Sequence, residues 1–448
     1  MPPPNHMNNR KLYLWSVTSA LAGFLFGFDT VVISGAEQTI EKLWQLSPTM
    51  HGLAMSAALW GTVLGALIGA WPAERFGRRN TLLGIGVLYF TSAVGSALAP
   101  EEYTFMFARF IGGIGVGIST VAAPMYIAEI APAHLRGRLA GMFQFNIVFG
   151  ILIAFVSNAA LANIGDNAWR WMLGIEALPA IVYTALCFLI PESPRWLITK
   201  RNKSDEAIET LAQTHPGLSK EELLDKAHEI ATSKPTGPKA SFWRKELKRP
   251  ILLAFLIAFF NQLSGINAIL YFAPRIFEKT GLGESAALLQ SVGIGVTNLI
   301  FTFVGLYLID RLGRRTLLYL GSIGYILSLG ACSVAFFTEN FSIVPICIFA
   351  FIAAHAIGQG AVIWVFIGEI FPNSDRASGQ ALGSFTHWIF AASLTLVFPF
   401  FVTKFPAGYV FGFFCLMMVI QLLWVRFFVP ETKGVSLERI QALFAQKR

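Results

Sequence analysis

Charge is scarce in this chain. Only 13% of its 448 residues are Asp, Glu, Lys or Arg, against roughly 25% in an ordinary soluble domain. Long polar stretches are equally rare, residues 192–248 being the one extended polar segment between apolar runs. A water-soluble globule is excluded by that balance. Cysteine is nearly absent as well. Cys187, Cys332, Cys347 and Cys415 all fall inside apolar runs and at no metal-ligand spacing, so they read as small packing residues rather than disulfides or ligands, and no metal is expected. There is no nucleophile set beside a base and no paired acid constellation of a hydrolase, so no enzyme activity is expected. No cleavage site follows the first apolar stretch, so no removable leader is expected.

What is present is long apolar runs. Twelve are legible, at about 12–36, 51–73, 80–98, 103–128, 138–164, 171–191, 249–276, 286–309, 315–337, 343–367, 378–402 and 407–429. Each is long enough to cross roughly 30 Å of hydrocarbon as a helix. None shows the alternation of a barrel strand, and unpaired backbone groups are not tolerated in lipid, so all twelve are expected to be helices. The net charge of +8 does not point to nucleic acid, because it is sorted by side. With the N-terminus inside, the loops and tails on that side hold 27 Lys and Arg, 12 of them in 191–250, against 5 on the other side. Such a bias places both termini in the cytoplasm of a multi-pass plasma-membrane protein, in a bacterium the inner membrane.

The chain repeats itself. Glu74-Arg75-Phe76-Gly77-Arg78-Arg79 returns as Asp310-Arg311-Leu312-Gly313-Arg314-Arg315, 236 positions on. Glu129-Ile130-Ala131-Pro132 with Arg136 returns as Glu369-Ile370-Phe371-Pro372 with Arg376, and Pro191-Glu192-Ser193 as Pro430-Glu431-Thr432. Nearly one offset, 236 to 240 positions, for three signatures implies two parallel six-helix halves. The expected divisions are 1–191, a cytoplasmic linker 192–248, and 249–448. Within the linker, Ser219 with Glu222 three residues later forms a capping box that opens a short helix, and Lys234-Pro235-Thr236-Gly237-Pro238 ends the pattern. A further short helix is expected in the tail after Pro430.

Charges inside lipid are costly and need a reason. Asp29, Arg109 and Glu176 stand well inside spans, all in the first half. Arg109 between two carboxylates is the economical arrangement. A carboxylate beside a guanidinium stays ionised; moved away and desolvated, it takes up a proton. Intramembrane amides gather at Gln144, Asn261, Gln262, Asn267 and Asn298, and Trp364 and Trp388 lie in the tenth and eleventh runs. Ser264-Gly265 suggests a locally broken helix between Gln262 and Asn267. His355, among small residues, reads as a packed histidine. Gly112-Gly113-Ile114-Gly115-Val116-Gly117 follows no strand and lies inside a span, so it reads as a close helix crossing rather than a nucleotide loop. The repeated charges Arg75, Glu129, Arg136, Glu192, Arg311, Glu369, Arg376 and Glu431 read as a cytoplasmic gate, whose pairing across the two halves would hold an outward-open state closed on that side.

These motifs, together with Pro124-Met125-Tyr126-Ile127-Ala128-Glu129, Gln262-Leu263-Ser264-Gly265-Ile266-Asn267 and Pro430-Glu431-Thr432-Lys433-Gly434, resemble the sugar porter branch of the major facilitator superfamily over essentially the whole chain. The resemblance implies an all-α membrane protein of twelve transmembrane helices with a short helical cytoplasmic insertion. It implies a monosaccharide importer, hexose or pentose, working by alternating access as a monomer, with the proton as coupling ion and no other cofactor. Uncoupled facilitation is the alternative, and a transport-inactive sensor a remote one. The symporting relatives carry Asp in the Phe26-Gly27-Phe28-Asp29 context, which favours coupling. The resemblance places Phe26, Gln144, Asn261, Gln262, Asn267, Tyr271, Asn298, Gly360, Trp364, His387 and Trp388 at the sugar site. Asn261, Gln359 and His387 depart from the residues common in the family, and they fall where substrates are told apart.

Overall fold

The computed structural model describes residues 10–215, 217–232, 241–372 and 374–435; the side chains of Ala133, His134, Arg136, Gly137 and Ala140 are outside the description. Lys234–Pro238, the side chain of Arg136 and any helix in the tail beyond Val435 therefore lie outside the described residues. Among the described residues, eleven helices are long and apolar enough to cross a membrane. The sixth crossing completes the twelve in two pieces, Ala168–Gly174 and Ala177–Cys187. Its ladder changes step at Ile175-Glu176, where the Leu178 amide bonds the Ile175 carbonyl at 3.1 Å, a three-residue spacing that tightens the turn. The expected boundaries shift by up to about a turn elsewhere: the second crossing runs Pro48–Ile68, and Ala70–Phe76 follows as a separate short helix.

The seventh crossing breaks where Ser264-Gly265 suggested. Lys248–Leu263 stops, Gly265 takes φ +87°, and Ile266–Tyr271 and Ala273–Glu278 follow. Only glycine adopts that backbone cheaply. The tenth crossing is also interrupted, Val344–His355 being joined to Ala361–Ile370 through a wide turn at Ala356–Gly360. Between the halves lie Ser204–Thr214 and Lys220–Thr232. The capping box is present as expected: the Ser219 amide donates to Glu222 at 2.7 Å and the Glu222 amide donates to Ser219 Oγ at 3.2 Å. Trp196 Nε1 donates to the Glu74 carbonyl at 2.8 Å, while Arg244 forks onto Asp375 at 2.9 and 2.6 Å. The Arg244 guanidinium holds the Asp375 carboxyl below its usual range. The insertion is thus tied to both halves on the face that carries the Gly-Arg-Arg motifs, called the motif face below.

The halves meet along two helix pairs, the second crossing against the eleventh and the fifth against the eighth. The second and eighth correspond in the repeat, as do the fifth and eleventh, so the two pairs are one contact made twice. Inside the first half, the glycine run crosses closely. A side chain on Gly113 would strike the Ala58 carbonyl, and one on Gly117 would strike the Thr62–Ala66 backbone. That is the packing role expected of small residues in membrane helices.

Candidate functional site

Asp29, Arg109 and Glu176 are buried charged side chains set well inside the first half. Arg109 Nη1 donates to Asp29 Oδ1 at 2.5 Å, and its Nη2 donates to the Asp29 carbonyl at 2.8 Å. Both residues are 1% exposed. Arg109 stands seven residues into Glu102–Ile130, about 10 Å from that helix end at 1.5 Å per residue. Glu176 sits at the joint of the interrupted sixth crossing, 1% exposed, with Oε1 lacking a hydrogen-bond partner. Arg109 Nε and the Tyr89 hydroxyl are also buried without partners. So the expected trio gathers, but unequally: Asp29 holds the guanidinium, and Glu176 is the carboxylate left over. Tyr271, of the opposite half, is close enough to interact electrostatically with both Arg109 and Asp29. Its segment Ile266–Tyr271 packs on the first crossing.

The amide cluster straddles the break before that segment, with Asn261 and Gln262 on Lys248–Leu263 and Asn267 on Ile266–Tyr271. Asn267 Nδ2 donates to Gln262 Oε1 at 2.7 Å, and Gln262 Nε2 donates to Asn261 Oδ1 at 2.9 Å. Gln262 Nε2 also approaches the His387 ring nitrogens at 3.1 and 3.2 Å. The break at Gly265 lets residues five apart on the chain meet. Around them stand aromatics: the His387 ring lies 5.3 Å from Trp364 and 4.8 Å from Trp388, and Trp388 lies 5.5 Å from Phe26 of the first half. Trp388 Nε1 is buried with no partner. A buried donor without an acceptor beside a polar cluster is what a hydroxyl-bearing ligand satisfies.

Not every expected residue joins. Gln144 and Asn298 make no hydrogen bond to this cluster among the described residues; Asn298 takes only a 3.5 Å contact from Thr302. Gly360 ends the wide turn against the His355 ring. His355 bonds the Tyr325 hydroxyl at 2.6 Å, as a packed histidine would. Gln359 is spent elsewhere, donating to Gln421, which donates to Ser322.

At the motif face the repeats build one knot twice. Arg78 forks onto Glu129 at 2.8 and 2.8 Å, and Arg314 onto Glu369 at 3.0 and 2.7 Å. Ser193 and Thr432 donate hydroxyls to the same two carboxylates. Glu192 accepts the amides of Arg78 and Arg79, and Glu431 those of Arg314 and Arg315. Each carboxylate therefore caps a helix N-terminus, where amide donors and the helix dipole favour negative charge. Gly77 and Gly313, at φ +99° and +91°, reverse the chain so that the first arginine of the next helix faces back to the acid.

In this arrangement the repeated charges pair within each half, which leaves the gate expected across a closed face in the outward-open state as an expectation. The engaged arginines are Arg78 and Arg314, not Arg75 and Arg311, which sit in the last turns of the preceding helices. Among the described residues Arg75 makes no ion pair, and Arg311 lies over the Tyr307 ring at 4.1 Å. The knots also close within each half, not across the face. Within the second half the motif face holds a cavity of about 380 Å³ lined by Trp364, Gly368, Glu369, Arg376 and Thr432. Charge-assisted pairs of this kind contribute about 1.5–3 kcal/mol. Arg314→Ala is therefore expected to lower the melting temperature in detergent by several degrees, and Arg75→Ala to leave it unchanged. Equal effects would return the role to Arg75.

The opposite face was missed by the sequence reading. Glu37, Glu41 and His51 bring potential ligand atoms within 4.8 Å of one another. The Arg275 guanidinium sits on both carboxylates, in the place a metal cation would take. The available signal was charge at span ends, Glu37 just after the first and Arg275 at the close of the seventh.

Comparison with known proteins agrees with this geometry. The profile of the sugar (and other) transporter family matches residues 15–444. A D-xylose–proton symporter of Escherichia coli is 33% identical over 474 residues, covering 96% of each chain. An arabinose–proton symporter of Bacillus subtilis is 33% identical over 440 residues, covering 96% of this chain and 94% of that one. A glucose transport protein of Synechocystis is 35% identical over 468 residues, covering 98% and 99%. The inward-open structure of the E. coli xylose transporter superposes with a TM-score of 0.85 at 31% identity, over 96% of this chain and 99% of that one. The structure of the proton:xylose symporter bound to 6-bromo-6-deoxy-D-glucose gives 0.79 at 32%, over 98% and 100%. This chain, a twelve-helix multi-pass membrane protein, belongs to the sugar (and other) transporter family.

Proposed function

We propose that the chain imports a monosaccharide together with a proton by alternating access, both termini lying in the cytoplasm. One observation carries the reading. The buried Asp29–Arg109 pair and the amide cluster around Gln262 both lean on one short broken segment, Ile266–Tyr271. A sugar that reorders this segment bears directly on the proton site. The pocket suits the cargo: amides for paired hydroxyl bonds, aromatic faces for a weakly apolar ring, and no net charge at the cluster. The positive-inside bias supports a cytoplasmic motif face, and the ties of Arg275 to Glu37 and Glu41 across the opposite face support an inward-open state. The named relatives, proton symporters for pentoses among them, support the coupling and the substrate class. The divisions near 191 and 248 follow the ends of the two helix sets, and a single chain encloses the whole site, so it works as a monomer.

Uptake of labelled sugars into proteoliposomes, with and without an inward proton gradient, tests the reading. The expected result is accumulation above the outside concentration only with the gradient. Mere equilibration in both cases assigns the chain to uncoupled facilitation.

Asn261 and His387 are expected to set sugar preference, because both bond the central Gln262. Substituting Asn261→Gln and His387→Gln together should reorder competing sugars in an uptake-competition assay while turnover of the preferred one stays within about threefold, a difference under roughly 1 kcal/mol. An unchanged order would make them bystanders.

A further inference from the structure

The two faces of the molecule are tied in different ways. At the motif face, every ion pair among the described residues joins groups of one half or its attached linker. At the opposite face, ion pairs cross between halves. Arg275, from the segment after the broken seventh crossing, donates Nε to Glu37 Oε1 at 2.9 Å and Nη2 to Glu37 Oε2 at 2.8 Å, and it also binds Glu41. His51, from the second crossing, stands 3.1 Å from Glu37 and 3.5 Å from Glu41, close enough to pair yet not aligned for a hydrogen bond. Gln38 donates to Glu278 alongside at 2.9 Å. Glu37 and His51 are fully buried, and the Phe272 ring meets the His51 ring edge-on at 5.9 Å.

We propose that Glu37, Glu41, His51 and Arg275 form an outer latch, made only when the outer face is shut, whose strength sets the share of inward-open carriers. The proposal rests on the alternating-access reading above. Glu37, Glu41 and His51 belong to the first half and Arg275 to the second, so any opening of the outer face must pull the guanidinium from its two acids. The cluster is self-contained: Arg275 contacts the two carboxylates, His51 lies between them, and Glu278 and Lys279 are the next charged groups on the Arg275 segment, with Lys42 beside Glu41. His51 and Arg275 together hold the Glu41 carboxyl down to about 2, so this acid stays charged in any working medium. A buried ion cluster is weak as net stabilisation but costly to break from one side. Removing Arg275 leaves Glu37 buried with only His51 beside it, and opening to water is the relief open to it. The latch residues are positioning residues. They act through the angle between the halves and touch no sugar.

Spin labels on the outer face read that angle directly. Leu43 and Phe405 are 53% and 47% exposed, one on each half. Leu43→Cys and Phe405→Cys are introduced into the full chain with the four native cysteines replaced, and inter-label distances are measured in lipid nanodiscs. Arg275→Gln is expected to raise the long-distance, outward-open population at least about tenfold, and Glu41→Gln several-fold, as loss of charge-assisted bonds implies. Adding Glu37→Gln to Arg275→Gln should restore part of the short-distance population, because no buried charge is then left over. Distance distributions that superpose on the parent in both single variants overturn the proposal, and Glu41→Gln alone decides it if Arg275→Gln does not fold. Sugar uptake is read separately. A chain that opens with Arg275→Gln but moves no sugar refutes the transport reading and keeps the latch, whereas unchanged distances with normal uptake do the reverse.

Discussion

Asp29→Asn abolishes concentrative uptake while sugar-for-sugar exchange survives: this is the largest functional effect expected of any single substitution here. The change removes the titrating group but keeps size and hydrogen bonding, so the contact to Arg109 weakens without leaving a hole. Under the proposed coupling, protonation of Asp29 would free Arg109 and permit closure around sugar, and loss of the proton to the cytoplasm would restore the pair. A ligand drives a two-state protein only through different affinities for the two states. With asparagine the two states no longer differ in proton affinity at this site, and the gradient loses its handle. Arg109→Ala is expected to do more harm, because it leaves Asp29 and Glu176 buried without a cation; loss of expression or of a monodisperse peak would register it. If Asp29→Asn still concentrates sugar, the proton site lies elsewhere.

Gln262→Ala should weaken sugar binding about tenfold to a hundredfold, the second large effect. Gln262 touches Asn261, Asn267 and His387 at once. Its loss leaves three buried polar groups short of a partner, and each such group costs about 1–3 kcal/mol. Isothermal titration in detergent reads the affinity, and circular dichroism checks that the helices remain. Affinity within twofold of the parent would remove Gln262 from the site.

The fold was legible because its cause lies in composition. Apolar runs in lipid have one solution, and the repeated Gly-Arg-Arg and Pro-Glu motifs set the halves in register. The broken seventh crossing was legible too, since Ser264-Gly265 sits between amides and only glycine fits φ +87°. What stayed hidden was pairing between distant segments. Arg75 and Arg78 are alike in sequence; the turn at Gly77 decides which one faces Glu129. Gln144 and Asn298 looked equivalent to Asn267 as intramembrane amides, yet among the described residues only Asn267 bonds Gln262. The outer cluster escaped because its four members come from three separate segments, and each alone looks like ordinary charge at a span end.

Coupling is the central claim, and proton movement on sugar addition tests it most directly. Proteoliposomes holding a pH-sensitive dye, with no gradient imposed and the membrane potential clamped, receive the transported monosaccharide outside. The account predicts that the lumen acidifies as labelled sugar enters, and that Asp29→Asn removes the acidification. Entry of sugar at the same rate with no change in lumenal pH would contradict it.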